Sequence, residues 1–374
     1  MAGIYIHIPF CRKKCIYCNF YSIVSTKRIE EYVETLIKEV QKAECKMMKA
    51  KIETLYFGGG TPSLLPVNLL EKILSSIYEN FDIAEDTEAT IEGNPEQLSL
   101  DYLNHLKTLG FNRISIGVQS FNDDILHFMG RLHSGKDAML TIENAQKAGF
   151  ENISVDLIYG IFLRSKQEWA KELKKTFQLP VKHLSAYSLT IEENTLLHKK
   201  ISQQKMQNID EEQTLQEMNL LIEEAEKKGF VHYEVSNYAL NGYQSKHNSN
   251  YWNGTPYLGF GVSAHSYSGN TRSWNISNVD KYIQAIKKNE PYFEIEYLTP
   301  VQQFNEYVLL RLRTKTGIDL KFLEACFGVE KRDYLLNSLR KINPQYYKIK
   351  DQQISVTKEG LPLLDFITER LLLD

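Results

Sequence analysis

Two hydrophobic periods alternate along the first half of the chain. Short runs rich in β-branched residues, at 4–8, 52–57, 89–92, 113–118, 153–158 and 183–189, predict strands. Amphipathic stretches stand between them. Residues 28–43 place Tyr32, Leu36 and Val40 at four-residue steps with Glu and Lys on the other face, which predicts a helix, and 67–78, 100–109, 136–148 and 167–177 repeat the pattern. Gly110, Gly149 and Gly229, each followed by Phe, read as helix stops, because glycine fits the left-handed position there. Six strand–helix units in a row predict an α/β fold with a parallel sheet and right-handed crossovers. Eight units would close a barrel; six suggest a partial, open (β/α)6 barrel, although a flat doubly wound sheet has the same local pattern.

The pattern changes near residue 237. Residues 240–278 are rich in Asn, Ser, Gly, Tyr and Trp and read as long loops over the scaffold. Residues 301–374 read as helices near 302–312, 320–327 and 333–341, strands at 346–349 and 353–356, and a last helix from 357, an order like that of a winged helix. The expected division is a core barrel over 1–236, a connecting region over 237–300, and a smaller winged-helix-like α+β domain over 301–374.

Composition adds exclusions. The 374 residues are 43% hydrophobic and 24% charged, ample for a buried core, and the formal charge is −3. Residues 301–374 hold twelve Lys or Arg against ten Asp or Glu, too small an excess for a phosphate footprint, so no nucleic-acid partner is expected. The opening MAGIYIHIPF lacks the pattern of a signal peptide, and no apolar window approaches eighteen residues; the cytoplasm is the expected compartment.

Five cysteines, an odd number with three inside eight residues, speak against a disulfide framework and for a metal site. Cys11, Cys15 and Cys18 stand at spacings of four and three. Three thiolates wrapping one cubane leave its fourth iron open, and that iron can chelate a small molecule through an amine and a carboxylate, as methionine offers. Arg12, Lys13 and Lys14 help offset the cluster's negative charge. A structural zinc site would take four ligands, usually as two pairs, and no second pair follows, although His7 is near. C-x3-C-x2-C with aromatic Tyr17 just before the last Cys resembles the radical S-adenosylmethionine (SAM) superfamily. Cys45 reads as part of a polar helix and Cys326 as core.

In βα proteins the working residues gather at the C-terminal ends of the strands. Here those ends carry the cysteine loop, Gly58-Gly59-Gly60-Thr61-Pro62, Glu92-Gly93-Asn94-Pro95-Glu96, Gly117-Val118-Gln119-Ser120, Asp156 with Tyr159-Gly160, and Ser188-Leu189-Thr190. Glycines let backbone amides approach a charged ligand. Glu92 and Asp156 can accept from an ammonium or a ribose, and Arg131 can pair with a carboxylate. Each of these three charged residues could instead serve a structural ion pair.

Together the motifs resemble the oxygen-independent coproporphyrinogen III oxidase family, over residues 5 to about 317. That resemblance implies a [4Fe–4S] cluster on Cys11, Cys15 and Cys18, an electron donor to reduce it, and SAM contacts at Tyr5, Tyr17, Gly59, Gly60, Thr61, Glu92, Gln119, Arg131, Asp156 and Thr190. Two departures count against oxidative decarboxylation of coproporphyrinogen to protoporphyrinogen IX. Phe20 stands where the oxidases carry an additional Cys, and the first strand begins almost at Met1, where they have a longer segment. His247-Asn248-Ser249-Asn250-Tyr251-Trp252 matches the HNxxYW signature of the haem-chaperone subfamily, HemW, as do the stretches at 233–239 and 313–317. This implies haem as a third cofactor, His247 as its imidazole, and a haem-acceptor protein as partner, membrane-associated acceptors included. A neutral imidazole is a common axial haem ligand, and Tyr251 and Trp252 offer surface for the macrocycle. His265 could line the SAM site or serve only in packing.

Overall fold

A computed structural model describes residues 2–43, 50–206 and 208–373. Twelve strands form one sheet: β1 (Ala2–Ile8), β2 (Ile52–Gly59), β3 (Ile83–Gly93), β4 (Arg113–Gln119), β5 (Asn152–Tyr159), β6 (His183–Ser188), β7 (Val231–Glu234), β8 (Asn237–Ala239), β9 (Tyr257–Phe260), β10 (His265–Tyr267), β11 (Thr271–Asn275) and β12 (Phe293–Tyr297). Their order is β12-β11-β10-β9-β1-β2-β3-β4-β5-β6-β8-β7. Strands β1 to β6 run parallel, as the alternating periods predict. β9 adds a seventh parallel strand on the free side of β1. The pairs beyond β9 and beyond β6 are antiparallel.

The strands' two faces differ sharply. Ile4, Ile6, Ile8, Leu55, Phe57, Ile114, Ile116, Val118, Ile153, Val155 and Leu157 are buried in one core with the helices. Burial of each such side chain contributes roughly 1.5–3 kcal/mol. The alternate positions are polar: Tyr5 and His7, Thr54 and Tyr56, Thr90 and Glu92, Arg113 and Ser115, Ser154 and Asp156, His183 and Ser185. Neighbouring strands join across this face, as in Tyr56 to Glu92 at 2.7 Å, Ser115 to Asp156 at 3.0 Å, and Ser154 to His183 at 2.8 Å. The face is concave. The start of the helix Lys246–Asn253 touches both flanks of it: Glu88 of β3 accepts from the Lys246 and His247 amides at 3.0 Å, while the Ser245 amide donates to Tyr233, whose hydroxyl meets His183 of β6. The six strands therefore curl around a polar lumen, the partial barrel that six strand–helix units suggest.

A second core, with Phe304, Val308, Leu312, Leu323, Leu335, Leu339 and Ile354 among its buried members, lies in the C-terminal part. It carries a three-stranded sheet of β13 (Ile318–Asp319), β15 (Gln353–Val356) and β14 (Tyr347–Lys350).

Four local expectations are corrected. Residues 240–278 are not long loops: they contain the helix Lys246–Asn253 and strands β9 to β11. Their aromatic and polar residues face lumen, edge and solvent in turn, so neither simple period appears. The helix expected at 333–341 begins at Val329, directly after Gly328 at φ 91°. The last helix starts at Leu364, after a 3-10 turn at Leu361–Leu363 that contains Pro362. Cys326 is exposed, on the outer side of the helix Leu320–Phe327, whose Leu320 and Leu323 face the core. Cys45 lies outside the described residues.

Candidate functional site

The cysteine loop follows β1 and is held by backbone. Cys11 N–H donates to the Ile23 carbonyl at 3.0 Å, and Ile23 N–H returns to Pro9 at 2.7 Å. Ile16, between the second and third cysteines, is buried among Ile125, Met129, Ile161 and Leu197. The loop is therefore pinned at its middle, while all three thiols stay free and partly exposed.

Two donors aim at the sulfurs. The Thr61 hydroxyl donates to Cys11 Sγ at 3.6 Å, and Arg131 Nη1 to Cys15 Sγ at 3.5 Å. Asn94 connects them: its Nδ2 donates to Thr61 Oγ1 at 3.2 Å and its Oδ1 accepts from Arg131 Nη2, which also donates to the Gly117 carbonyl at 2.6 Å. Burial pushes the Cys11 and Cys18 thiols up, as expected for sulfurs that need a metal to ionise. Gly60 sits so close that a Cβ would meet Phe10 O at 2.8 Å and Cys11 Sγ at 3.0 Å; Gly59, at φ 112°, would push a Cβ into the His7 ring at 2.7 Å. Three thiols with two donors and bare glycine backbone fit a cubane that leaves one iron open. Among the described residues no three His, Cys, Asp or Glu side chains converge as ligands of one ion, and thiols serving three separate irons do not need to.

Below this mouth the lumen carries the carboxylates. Glu92 accepts from the Tyr56 hydroxyl, and burial pushes its pKa up to about 7 against the pull of that bond. Burial also raises Asp156, which accepts from Ser115. Gln119 has a left-handed backbone at φ 69°, where the β4–β5 register slips. Such strain costs of order 1–3 kcal/mol and here turns the side chain toward Gly117 and the lumen mouth. Tyr17 packs beside the Ile16 cluster, and burial raises its hydroxyl against the opposing pull of Arg131. The structure thus brings Cys11, Cys15, Cys18, Tyr17, Gly59, Gly60, Thr61, Gln119 and Arg131 to one mouth, with Glu92 and Asp156 beneath it.

Of the other expected residues, His247 lies apart, Thr190 follows Leu189 on the rim beside the cysteine loop, and Tyr5 lies next to Glu92 in the lumen. Thr190 is exposed beyond the end of β6. Tyr5 is in the lumen wall, its hydroxyl 3.1 Å from His7 Nδ1. His7 is neutral, lowered to about 4 by burial, and its Nε2 donates to the Tyr21 carbonyl at 3.0 Å, so Nδ1 accepts from Tyr5. His247 is on a helix at the lumen's opposite end, beside Gly3 at the start of β1, about 16 Å along that strand from Ile8. It is 1% exposed, with Nδ1 2.8 Å from Thr54 Oγ1 and Nε2 2.9 Å from the Tyr251 hydroxyl. His265 opens β10, exposed, its ring 6.3 Å from Trp274. Asn94, Tyr56 and Arg113 were not singled out by sequence. The period-2 alternation that exposes an unusual polar face on buried parallel strands is the signal that could have found the last two.

Residues 5–176 match the radical SAM superfamily. The chain is 35% identical over 331 residues to heme chaperone HemW of Bacillus subtilis, covering 88% of this chain and 87% of that one. It is 34% identical over 372 residues to heme chaperone HemW of Lactococcus lactis, covering 99% and 97%. The chain belongs to the HemW family of radical SAM proteins. Among solved structures, coproporphyrinogen III oxidase (HemN) of Escherichia coli has the same fold, with a TM-score of 0.85 at 24% identity over 99% of this chain and 89% of that one. The HemW relationship gives the HNxxYW helix its interest: in this chain that helix closes the lumen floor. No helix among the described residues is long and apolar enough to cross a membrane.

Proposed function

We propose that this protein is a radical SAM-type haem chaperone, which holds a [4Fe–4S] cluster on Cys11, Cys15 and Cys18, binds SAM at the lumen mouth, and passes haem to an acceptor protein. The observation that carries the cofactor reading is the Cys11–Thr61–Asn94–Arg131–Cys15 circuit, which ties the cysteine loop to the ends of β2, β3 and β4. When bound and reduced by an electron donor, the cluster supplies one electron to SAM. The chain's own residues do the positioning. Arg131 Nη1, on the Cys15 side, presents positive charge to a methionine carboxylate. The backbone at Gly59 and Gly60 admits that group closely. Glu92 offers a carboxylate to its ammonium, and Asp156 offers one to a ribose.

The haem reading is supported by kinship with HemW and by the HNxxYW match. Phe20, 71% exposed, stands where the oxidases carry a further cysteine, which weighs against decarboxylation. In the conformation described, both His247 ring nitrogens are committed, and burial with Arg113 nearby lowers its pKa to about 3. His247 is thus held as a neutral imidazole, and it would ligate haem iron only by giving up its bond to Thr54 or to Tyr251. Anaerobic reconstitution followed by haem titration tests the reading. Saturable Soret absorption is expected in the wild type, weakened in His247→Ala. A wild type that binds about four irons and no haem would defeat it.

A further inference from the structure

The HNxxYW helix and the SAM carboxylate are physically one unit. The His247 ring stacks on Tyr56, with centroids 4.9 Å apart and planes at 23°. The Tyr56 hydroxyl donates to Glu92 Oε1 at 2.7 Å. Tyr5 backs both rings, at 6.1 Å from Tyr56 and 6.4 Å from His247. His247 is fixed at both nitrogens, by Thr54 and Tyr251, and its helix is fixed by Glu88. The fit is tight: a Cβ on Gly3 would meet Thr54 Oγ1 at 2.6 Å and the His247 ring at 3.3 Å. Arg113, 1% exposed with Nε and Nη1 unpartnered, sits in the same strand layer and disfavours a second positive charge on His247.

We infer that His247 is a positioning residue for Glu92: by clamping Tyr56 from below, it holds the hydroxyl that orients the carboxylate for SAM. Oε1 is then committed to Tyr56, the Gly59 backbone gives the carboxylate a second hydrogen bond, and its remaining acceptor capacity serves the ligand. Without the imidazole, Tyr56 loses its stacking surface, Thr54 and Tyr251 lose a common partner, and Glu92 gains rotational freedom. The signature helix therefore has a task in the SAM pocket besides any contact with haem. This rests on the reading that Glu92 contacts SAM.

The test uses the anaerobically reconstituted full chain as wild type, His247→Ala, His247→Gln and Thr54→Val. It measures iron content, the SAM dissociation constant, the change in the reduced cluster's EPR signal on adding SAM, and haem binding. Loss of one orienting hydrogen bond predicts SAM affinity about three- to tenfold weaker in His247→Ala, with about four irons retained. His247→Gln, which can bond both neighbours and lay its planar amide against Tyr56, should restore part of the affinity and of the EPR change. Thr54→Val should show a smaller weakening and serves if His247→Ala does not fold. Unchanged SAM affinity in His247→Ala or in Thr54→Val at full iron content overturns the inference even if haem binding is lost. A wild type that binds no SAM overturns the reading beneath it instead.

Discussion

At the scale of single residues, the site depends on atoms that are missing as much as on those present. Gly60 approaches the Phe10 carbonyl and Cys11 Sγ so closely that a methyl group must displace backbone of the cysteine loop. Gly60→Ala is expected to cut iron retained after reconstitution to less than about half of wild type, because the loop can no longer present Cys11 beside Thr61. Iron content at the wild-type level in that variant would show that the approach is not needed. Asn94 is the other small decisive residue. As Asn94→Ala the bridge between Thr61 and Arg131 is lost, and a weakening of SAM binding by about tenfold, the size of one charge-assisted hydrogen bond, is expected in equilibrium dialysis. Cysteine spacing, the glycine triplet and the strand-end acids were legible in sequence because each is a local word. Asn94 was visible only as part of a cluster, since its partners lie 33 and 37 residues away.

At the scale of elements, a buried ion triad braces the rim from outside the lumen. Arg164 donates to Glu172 of the helix Lys166–Thr176 and to Glu217 of the helix Glu211–Lys227, both at 2.7 Å, and its guanidinium lies 4.1 Å over Trp169. Glu172 also accepts from the Ser120 hydroxyl and the Phe121 amide at the end of β4, and Glu217 from the Gly160 amide at the end of β5. Arg164→Met leaves two buried carboxylates without their cation. A loss of about 3–5 kcal/mol in urea unfolding is expected. A loss below about 1 kcal/mol would mean that the helices hold the β4 and β5 ends without the triad. None of this could be read from sequence, where Arg164 stands 8 residues from Glu172 and 53 from Glu217 and no local pattern pairs them.

At the scale of the whole molecule, burial of titratable groups sets opposed pH dependences. Glu39, Glu92 and Glu234 are each pushed up to about 7, chiefly by burial, and Asp156 is raised. A carboxyl raised in the folded state binds its proton better there. Its stabilisation is full below about pH 4.5 and is lost as pH rises toward 7. His7, His183, His232, His247 and His265 are all lowered by burial; each stabilises the fold fully above about pH 6.5 and less as pH falls. Between about pH 5 and 6.5 the two sets oppose one another, so the cluster-free protein should show a nearly flat stability profile. Glu39→Gln separates them. Glu39 ties the helix Ile29–Lys42 to the Gly261 amide, Asn275 and Tyr282. Whatever its constant cost, the variant should gain stability relative to wild type as pH rises from 5 to 7, read from denaturant midpoints at several pH values. A difference that does not change with pH would refute the assignment of a raised pKa to Glu39.

By itself, the sequence determined the alternation of strand and helix, the parallel sheet, the three-thiol loop and the set of groups that end the strands. Each of these follows from residues close together in the chain, through periodicity or ligand spacing. It also carried the HNxxYW signature, but read it as part of a loop. The tertiary structure decided for the suggested partial barrel over a flat sheet with the same local pattern, and it alone decided that the inward face is a polar lumen and that His247 is the floor of that lumen rather than a free imidazole. Curvature brings Thr54, Glu88, His183 and Ser245 around one space, and no local period records which distant strands will share a neighbour.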